Sequence, residues 1–471
     1  MLPVLLIDFG STYTKLTAVD VHSASLLGTA GAFTTVASDI AEGLEHALED
    51  LSIKTGPLPP FAKQFACSSA AGGLRMIVSG LVPELTAEAG RMAALGAGAK
   101  VSGVYSYQLT DEDATEIIAA EPDIFLLTGG TDGGNRDIIV HNARTMARRM
   151  PRFPIIYCGN RTAAAECANI LDSNNFYRCE NVMPQFNQLN IAPVQSIIRE
   201  IFLSKIVRAK GLTRVSGLLS GILMPTPSAM LKAMELLSNG IGHNGGLGEL
   251  AAIDLGGATT DVYSIAAGNP RLDNVILKSL PEPFSKRTVE GDIGVRYGAK
   301  GIVDVVGFDR LSALSSLPVK TVQAYIDHLS DCPDAIPASP DEHALDYALA
   351  SAAVETAMTR HAGKVEQFFT PMGVAYAQTG KDLTSVKTLI MTGGAIIHAA
   401  NTADIAGHAL YSELQPASLR PKNVSVLKDK EYILSAMGLL SEEYPDIALT
   451  IMKKELQPCQ NILKAECKTA E

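Results

Sequence analysis

The chain has 471 residues, of which 47% are hydrophobic and 19% charged. That composition supports large buried cores, and about 150 residues per domain suggests two to four domains. A formal net charge of −11 without an offsetting basic tract argues against a nucleic-acid partner.

Arg148, Arg149 and Arg152 read as a solvated helix end. No apolar run reaches the roughly 18 residues that span a bilayer, and Met1-Leu2-Pro3 leads straight into a strand without a signal peptide, so a cytoplasmic location is expected. The seven cysteines form no CxxC pair, which speaks against a disulfide framework or a zinc site. Cys158, Cys167 and Cys179 are close enough in sequence to raise an iron–sulfur cluster, although buried thiols explain them more simply.

In chain order, Leu5 to Val19 is an apolar run ending in Asp8, then a small-residue turn, then a second β-branched run, the pattern of a β-hairpin. Ser38 to Ser52 has helical spacing, and Phe61 to Ser69 and Arg75 to Val82 read as strands. Helices are expected at Leu85–Ala99 and Asp111–Ala120. Next comes a strand at Asp123–Thr128, ending in Gly129-Gly130-Thr131-Asp132-Gly133-Gly134. Residues Asp172 to Gly248, with helices at Pro193–Arg208 and Pro227–Ser238 and Pro/Gly-rich joints at Met224–Pro227 and Gly240–Gly248, read as an inserted subdomain. Ala251 to Ile265 repeats the hairpin pattern around Asp254. Asp309 to about Gly380 is expected to be helical, Lys387 to Thr392 is a strand ending in Gly393-Gly394, and the tail after Leu440 is a helix with a charged end. A hairpin, helices and a strand ending in Thr-Gly-Gly occur twice, which implies an internal duplication. The expected fold is therefore α/β, with two matched lobes flanking a cleft.

The turn chemistry suggests a phosphate site. Glycine leaves no Cβ in the way, and successive turn N–H groups form an anion nest. Gly10, Ser11 and Thr12 in the first hairpin, and Gly256, Gly257, Thr259 and Thr260 in the second, are the candidate donors. Asp8 and Asp254 at the two mouths are candidates to hold the waters of a Mg²⁺ ion, with turn capping as the structural alternative. Lys15 reaches either a phosphate or solvent. Asp261 is a candidate for orienting water or metal, and Gly393 and Gly394 for lying against adenosine. Glu290 and Asp292 suit ribose contact or hydrolysis, with capping as the alternative. Asp132 is the candidate general base.

Asp8-Phe9-Gly10-Ser11-Thr12-Tyr13 and Asp254-Leu255-Gly256-Gly257-Ala258-Thr259-Thr260-Asp261 resemble the two phosphate motifs of the actin, sugar-kinase and DnaK-type chaperone superfamily. Asn160 to Ala165 resembles its first connecting helix, Leu389 to Gly394 its adenosine motif, and Asp429 to Leu440 its second connecting helix. Arg161 stands where the chaperones place a Glu near the attacking water, with Glu166 about a turn further on. A finer resemblance is to the MutL (GlmL) proteins associated with adenosylcobalamin-dependent glutamate mutase and related aminomutases. It rests on LIDFGSTYTK, FACSSAAGGLRM, LLTGGTDGGN, IDLGGATTDVYS and RTVEGDIGVR, and covers essentially the whole chain.

The resemblance implies two actin-like (ribonuclease H-like) ATPase lobes, at 1–168 and 249–440, with a mostly helical insert at 169–248 and a C-terminal helix and tail at 441–471. It further implies ATP/ADP and Mg²⁺ as cofactors, Tyr13 and Ala258 completing the phosphate motifs, and a slow ATPase that protects or reactivates a mutase. The alternatives are a small-molecule kinase using Asp132, a non-catalytic actin-like scaffold, or an iron–sulfur activator of a radical dehydratase.

Overall fold

The computed structural model describes residues 1–10, 13–33, 40–69, 74–171, 175–209, 223–371 and 373–464. Its contacts divide into two compact units. The first is Met1–Lys232 with Ser279–Pro281 and Ser435–Ala448, and the second is Ala233–Lys278 with Glu282–Leu434 and Leu449–Glu471. Among the described residues no helix is long and apolar enough to cross a membrane.

The first unit opens with the expected hairpin. Strands β1 (Pro3–Phe9) and β2 (Tyr13–Asp20) pair antiparallel, with Asp8 opposite Lys15. β1 is buried along its whole length, as a strand covered on both faces must be, and its near-continuous apolar run reflects that. β3 (Ser25–Phe33) adds antiparallel to β2. Helix α1 (Ile40–Thr55) then covers the sheet with Leu44, Ala47 and Leu51, whose spacing places them on one helical face against Leu5, Ile7 and Phe9. β4 (Lys63–Ser68) returns parallel to β1.

The chain then builds a second sheet. β5 (Arg75–Gly80) is followed by a π-turn at Pro83–Ala87 and α2 (Glu88–Gly96). Next come β6 (Lys100–Ser106), α3 (Asp111–Ala120), β7 (Ile124–Leu127) and α4 (Asp137–Ala147). β8 (Ile155–Tyr157), α5 (Ala164–Leu171), β9 (Phe176–Arg178) and α6 (Ala192–Ala209) complete it. All five strands are parallel, in the doubly wound order β6-β5-β7-β8-β9. Alternation along β5 sends Met76 and Val78 to the face packed by α2 and α6, and Ile77 to the face packed by α3, α4 and α5. The helix expected at 193–208 is thus α6, a layer of this parallel sheet. β10 (Leu223–Pro225) rejoins the first sheet parallel to β4 and leads into α7 (Thr226–Asn239). The first sheet therefore has the order β10-β4-β1-β2-β3.

The second unit takes up the chain within α7, at Ala233, and continues through a two-stranded turn, β11 (Gly240–Ile241) and β12 (Asn244–Gly245), where a Gly-rich joint is expected from sequence. The second hairpin follows as β13 (Leu250–Leu255) and β14 (Thr260–Ile265), with Asp254 opposite Asp261. β15 (Val275–Leu277) and β16 (Ser285–Glu290) precede three helices, α8 (Ala299–Ser315), α9 (Val319–Asp331) and α10 (Pro340–His361). β17 (Lys364–Thr370) and β18 (Gly373–Thr379) form a small sheet with β15. Then come β19 (Thr388–Thr392), α11 (Gly394–His398), α12 (Thr402–Gly407) and β20 (Asn423–Asp429). α13 (Leu434–Leu440) and the start of α14 (Pro445–Glu455) belong, from Ser435 to Ala448, to the first unit, and β21 (Leu456–Lys464) ends the described chain in the second.

The main sheet of this unit runs β16-β14-β13-β19-β20-β21, antiparallel through β16, β14 and β13 and parallel from β13 to β20. Strand for strand it repeats the first sheet: β13, β14, β16, β19 and β20 take the places of β1, β2, β3, β4 and β10. The fold is α/β and contains the actin-like, ribonuclease H-like plan twice.

The structure corrects three expectations. The duplication pairs β19 with β4, not with the strand ending at Gly129, because β7 lies in the separate parallel sheet. Both strands are short apolar runs buried on either side, and sequence does not reveal which sheet such a run joins. The helical reading to Gly380 fails after His361, where Val365, Phe368, Phe369, Val374 and Tyr376 supply the branched and aromatic residues of a β-hairpin. After the helix of the tail, α14, the end expected only to be charged forms β21, an antiparallel edge strand on β20.

Candidate functional site

At the first hairpin mouth Asp8 is 3% exposed. Its Oδ1 accepts from Thr226 Oγ1 at 2.6 Å and Cys67 Sγ at 3.5 Å, and its Oδ2 from Ser435 Oγ at 3.2 Å. Lys15, across the strand pair, brings Nζ to 3.6 Å from Oδ2. Lys15 is thus turned toward the Asp8 carboxylate, a placement the sequence reading did not include. Burial, and then the Asp8 carboxylate, push the Cys67 thiol well above its ordinary value, so it stays a neutral donor. Gly10 closes the described side of the turn, its N–H donating to Tyr13 O at 3.0 Å. A Cβ on Gly10 would fall 2.5 Å from that same oxygen, so glycine is required by contact. The Tyr13 side chain is exposed. Ser11 and Thr12 lie outside the described residues.

At the second mouth Asp254 is half-buried, with Tyr432 Oη at 3.4 Å from Oδ1. The turn is closed by Gly256 N–H donating to Thr259 O at 2.9 Å. The segment after Glu290 clamps it from outside. Val295 N–H donates to Gly256 O, and Arg296 and Gly298 N–H donate to Gly257 O. Thr260 Oγ1 donates to Ile293 O at 2.8 Å. Gly294 has no room for a Cβ, which would lie 2.5 Å from the Ala258 carbonyl carbon. Arg296 is itself fixed by a bidentate pair with Asp346, at 2.9 and 2.7 Å.

Asp261 is buried and paired with Arg287, whose Nε and Nη2 lie 2.7 and 2.6 Å from Oδ1. Oδ2 faces Thr259 Oγ1 at 3.5 Å. One carboxylate oxygen is therefore committed to a buried ion pair. Glu290 sits opposite Thr260 in register and pairs with Arg360. At the end of β19, Gly393 adopts φ +107°, and a Cβ there would lie 2.2 Å from Leu255 O, so β13 and β19 converge on a glycine that only glycine can satisfy. Gly394 faces open space. Asp429 ties this end of the sheet to α13, accepting from Thr392 Oγ1 and from the Ile433 and Leu434 N–H groups.

The remaining expected positions lie elsewhere. Asp132 belongs to the β7–α4 loop of the parallel sheet. Its Oδ1 accepts from Arg161 N–H at 2.8 Å and Asn181 Nδ2 at 3.0 Å, which makes it a fastener of that loop. Asn160 holds the same loop, accepting from Gly133 N–H and donating to Gly134 O and Asn135 O. A small-residue helix contact is made by α7 with α13. A Cβ on Gly438 of α13 would lie 1.8 Å from Ala229 O, so these two helices touch backbone to backbone. Thr226 and Ser435, the two hydroxyls on Asp8, sit one turn before that contact on their respective helices. Sequence reasoning missed them, although the run Pro225-Thr226-Pro227-Ser228-Ala229, small residues opening a helix, carried the signal. Cys158 and Cys167 point into cores on opposite faces of the parallel sheet, so the sheet separates them.

The structure thus gathers Asp254, Gly256 to Asp261, Glu290 and Gly393 around one hairpin mouth and Asp8, Gly10, Tyr13 and Lys15 around the other. Each mouth is a carboxylate beside a turn of small residues, an arrangement able to present backbone N–H groups to an anion.

Residues 4–456 match a family model described as MutL protein. The chain is 47% identical over 455 residues to Protein MutL of Clostridium tetanomorphum, covering 96% of this chain and 98% of that protein. Among solved structures it is similar to gluconate kinase from Lactobacillus acidophilus, with TM-score 0.35 and 9% identity over 98% of this chain and 94% of that one. Xylulose kinase from Bifidobacterium adolescentis gives TM-score 0.31 and 11% identity over 100% and 96%. On the strength of the family model and the Clostridium tetanomorphum relative, the chain belongs to the MutL family.

Proposed function

We propose that this protein binds and slowly hydrolyses ATP as an accessory factor that protects or reactivates an adenosylcobalamin-dependent mutase, glutamate mutase or a related aminomutase. The observation that carries the nucleotide reading is the repetition of an Asp-plus-glycine hairpin at the same place in two sheets of the same strand order. The turn chemistry suits phosphates, and Gly394 fronts open space, while the glycines at 10 and 393 are required by the chain's own Tyr13 O and Leu255 O. Asp8 and Asp254 would hold Mg²⁺ through water, and the ion would supply charge neutralisation for the phosphates. Gly10, Ser11, Thr12, Gly256, Gly257, Thr259 and Thr260 would donate to phosphate oxygens, and Gly393 and Gly394 would lie against the adenosine.

Thr226 and Ser435 orient Asp8, and Arg287 orients Asp261, so both carboxylates are positioned before any ligand arrives. On this reading the first lobe is the β10-β4-β1-β2-β3 sheet, into which the parallel sheet is inserted. The mutase partnership is supported by membership of the MutL family and by the motifs at Leu126–Asn135 and Arg287–Arg296. A cytoplasmic location suits such a partner.

The test is calorimetric titration with Mg²⁺-ATP and Mg²⁺-ADP, alone and with a glutamate mutase holoenzyme. Nucleotide affinity that changes when the mutase is present supports the reading, because linkage between two sites is reciprocal. Nucleotide binding without coupling removes the mutase. ATP turnover that survives Asp8→Ala together with Asp254→Ala removes the hairpin site.

A further inference from the structure

Arg420 is 1% exposed and precedes β20 in the second unit. Its Nη1 donates to His408 O at 3.1 Å, whereas Nε and Nη2 are buried and meet no hydrogen-bond partner. A guanidinium does not deprotonate in proteins, and a buried charge with empty donors is costly. Burial pulls Arg420 below its ordinary value, and the Glu355 carboxylate opposes that pull. The two empty nitrogens form one edge of the planar fork, the edge that matches both oxygens of a carboxylate or phosphate.

A second orphaned group lies on α10, the helix whose Glu355 carboxylate acts on Arg420. α10 carries Tyr347, Ser351 and Glu355 four residues apart, and hence on one face. The Tyr347 ring meets His408 edge-on at 6.3 Å, and its hydroxyl is 3.4 Å from His408 Nε2. Ser351 is fully buried, and its Oγ also meets no partner. Glu355 pairs with Arg310, whose Nη2 is 3.2 Å away. β19 and β20 are parallel, so Arg420 lies beyond their amino ends, while Gly393 lies at the carboxyl end of β19.

We propose that Arg420 and Ser351, framed by Tyr347 and His408, form a binding site for a small oxyanion, a carboxylate or a phosphate, separate from the hairpin mouths. The free edge of Arg420 takes two oxygens of the anion, and the Ser351 hydroxyl donates to it.

The experiment follows thermal unfolding and heat of binding of the full chain with inorganic phosphate and with acetate. Each titration is run with and without saturating Mg²⁺-ADP, so that uptake at the hairpins is read separately. Saturable binding that persists with Mg²⁺-ADP is expected, with the folded-to-unfolded ratio rising about 100-fold at a hundred times Kd. Response to phosphate alone assigns a phosphate ligand, and response to acetate alone a carboxylate. Arg420→Lys, which keeps the charge and loses the fork, should weaken binding at least tenfold, and Ser351→Ala should weaken it less. Arg420→Met should abolish binding. If that variant does not fold, the lysine and alanine variants decide. Absence of response to both anions, or responses unchanged in Arg420→Lys and Ser351→Ala, overturns the proposal.

Discussion

Gly438→Ala separates two physical expectations of opposite sign. Intrinsic helix propensity predicts that alanine stabilises α13 by about 1 kcal/mol. Packing predicts the reverse, because the added Cβ falls 1.8 Å from Ala229 O and 2.5 Å from Ala229 C. Ordinary carbon–oxygen contact is about 3.3 Å, so α7 and α13 must part by roughly 1.5 Å. Overpacking of this kind costs about 1–3 kcal/mol. The same shift acts on Asp8, which is held at 2.6 Å by Thr226 from one helix and at 3.2 Å by Ser435 from the other. Losing one hydrogen bond to a charged group costs about 1.5–3 kcal/mol. After subtracting the propensity gain, the net expectation is a destabilisation of about 1.5–5 kcal/mol. With each kcal/mol moving a unit of this size by about 2–4 °C, calorimetry should show the transition lowered by several degrees or more. Nucleotide affinity should fall with it, since Asp8 loses its orientation. A Tm that is unchanged or raised refutes the backbone contact and its coupling to Asp8.

Other perturbations read other parts of the chain. Arg287→Met leaves Asp261 buried without its cation and should cost about 3–5 kcal/mol in denaturant unfolding, while Arg287→Met with Asp261→Leu should recover most of the loss; a single variant as stable as the parent sinks this account. Burial, and then the neighbouring Lys286, push Lys381 down to about 7. The unfolded chain therefore binds an extra proton between pH 7 and the usual lysine range, so stability should rise with pH above 7 and be flat in this respect below it. The rise attributable to Lys381 is at most about 2–3 kcal/mol from pH 7 to 9, and Lys381→Met should remove the slope in urea titrations at the two pH values. Asn160→Ala releases the Gly133–Asn135 loop and should cost about 2–4 kcal/mol, with faster protease cleavage within the loop as the second readout.

Local order in the sequence was enough to specify both hairpins. An apolar run, an Asp, small turn residues and a second branched run require only neighbours in the chain, and the strands form where that pattern lies, with Asp8 opposite Lys15 and Asp254 opposite Asp261. The same holds for α1, whose spacing is local, and for α3, whose spacing and capping box are local. The glycines at 10 and 393 were recognisable as required, but the oxygens that require them were not, since Leu255 O reaches Gly393 only through the pairing of β13 with β19.

Partner choice among buried strands was left to tertiary structure. The segments before Gly129 and Gly393 look alike because each is a fully buried strand, yet one joins a parallel sheet and the other the sheet of the second hairpin. Tertiary structure alone brought Thr226 and Ser435 onto Asp8, Arg287 onto Asp261, and Arg420 onto the His408 carbonyl. Those arrangements are set by which apolar faces pack together, and a contact between residues far apart in the chain leaves no periodic trace in the sequence.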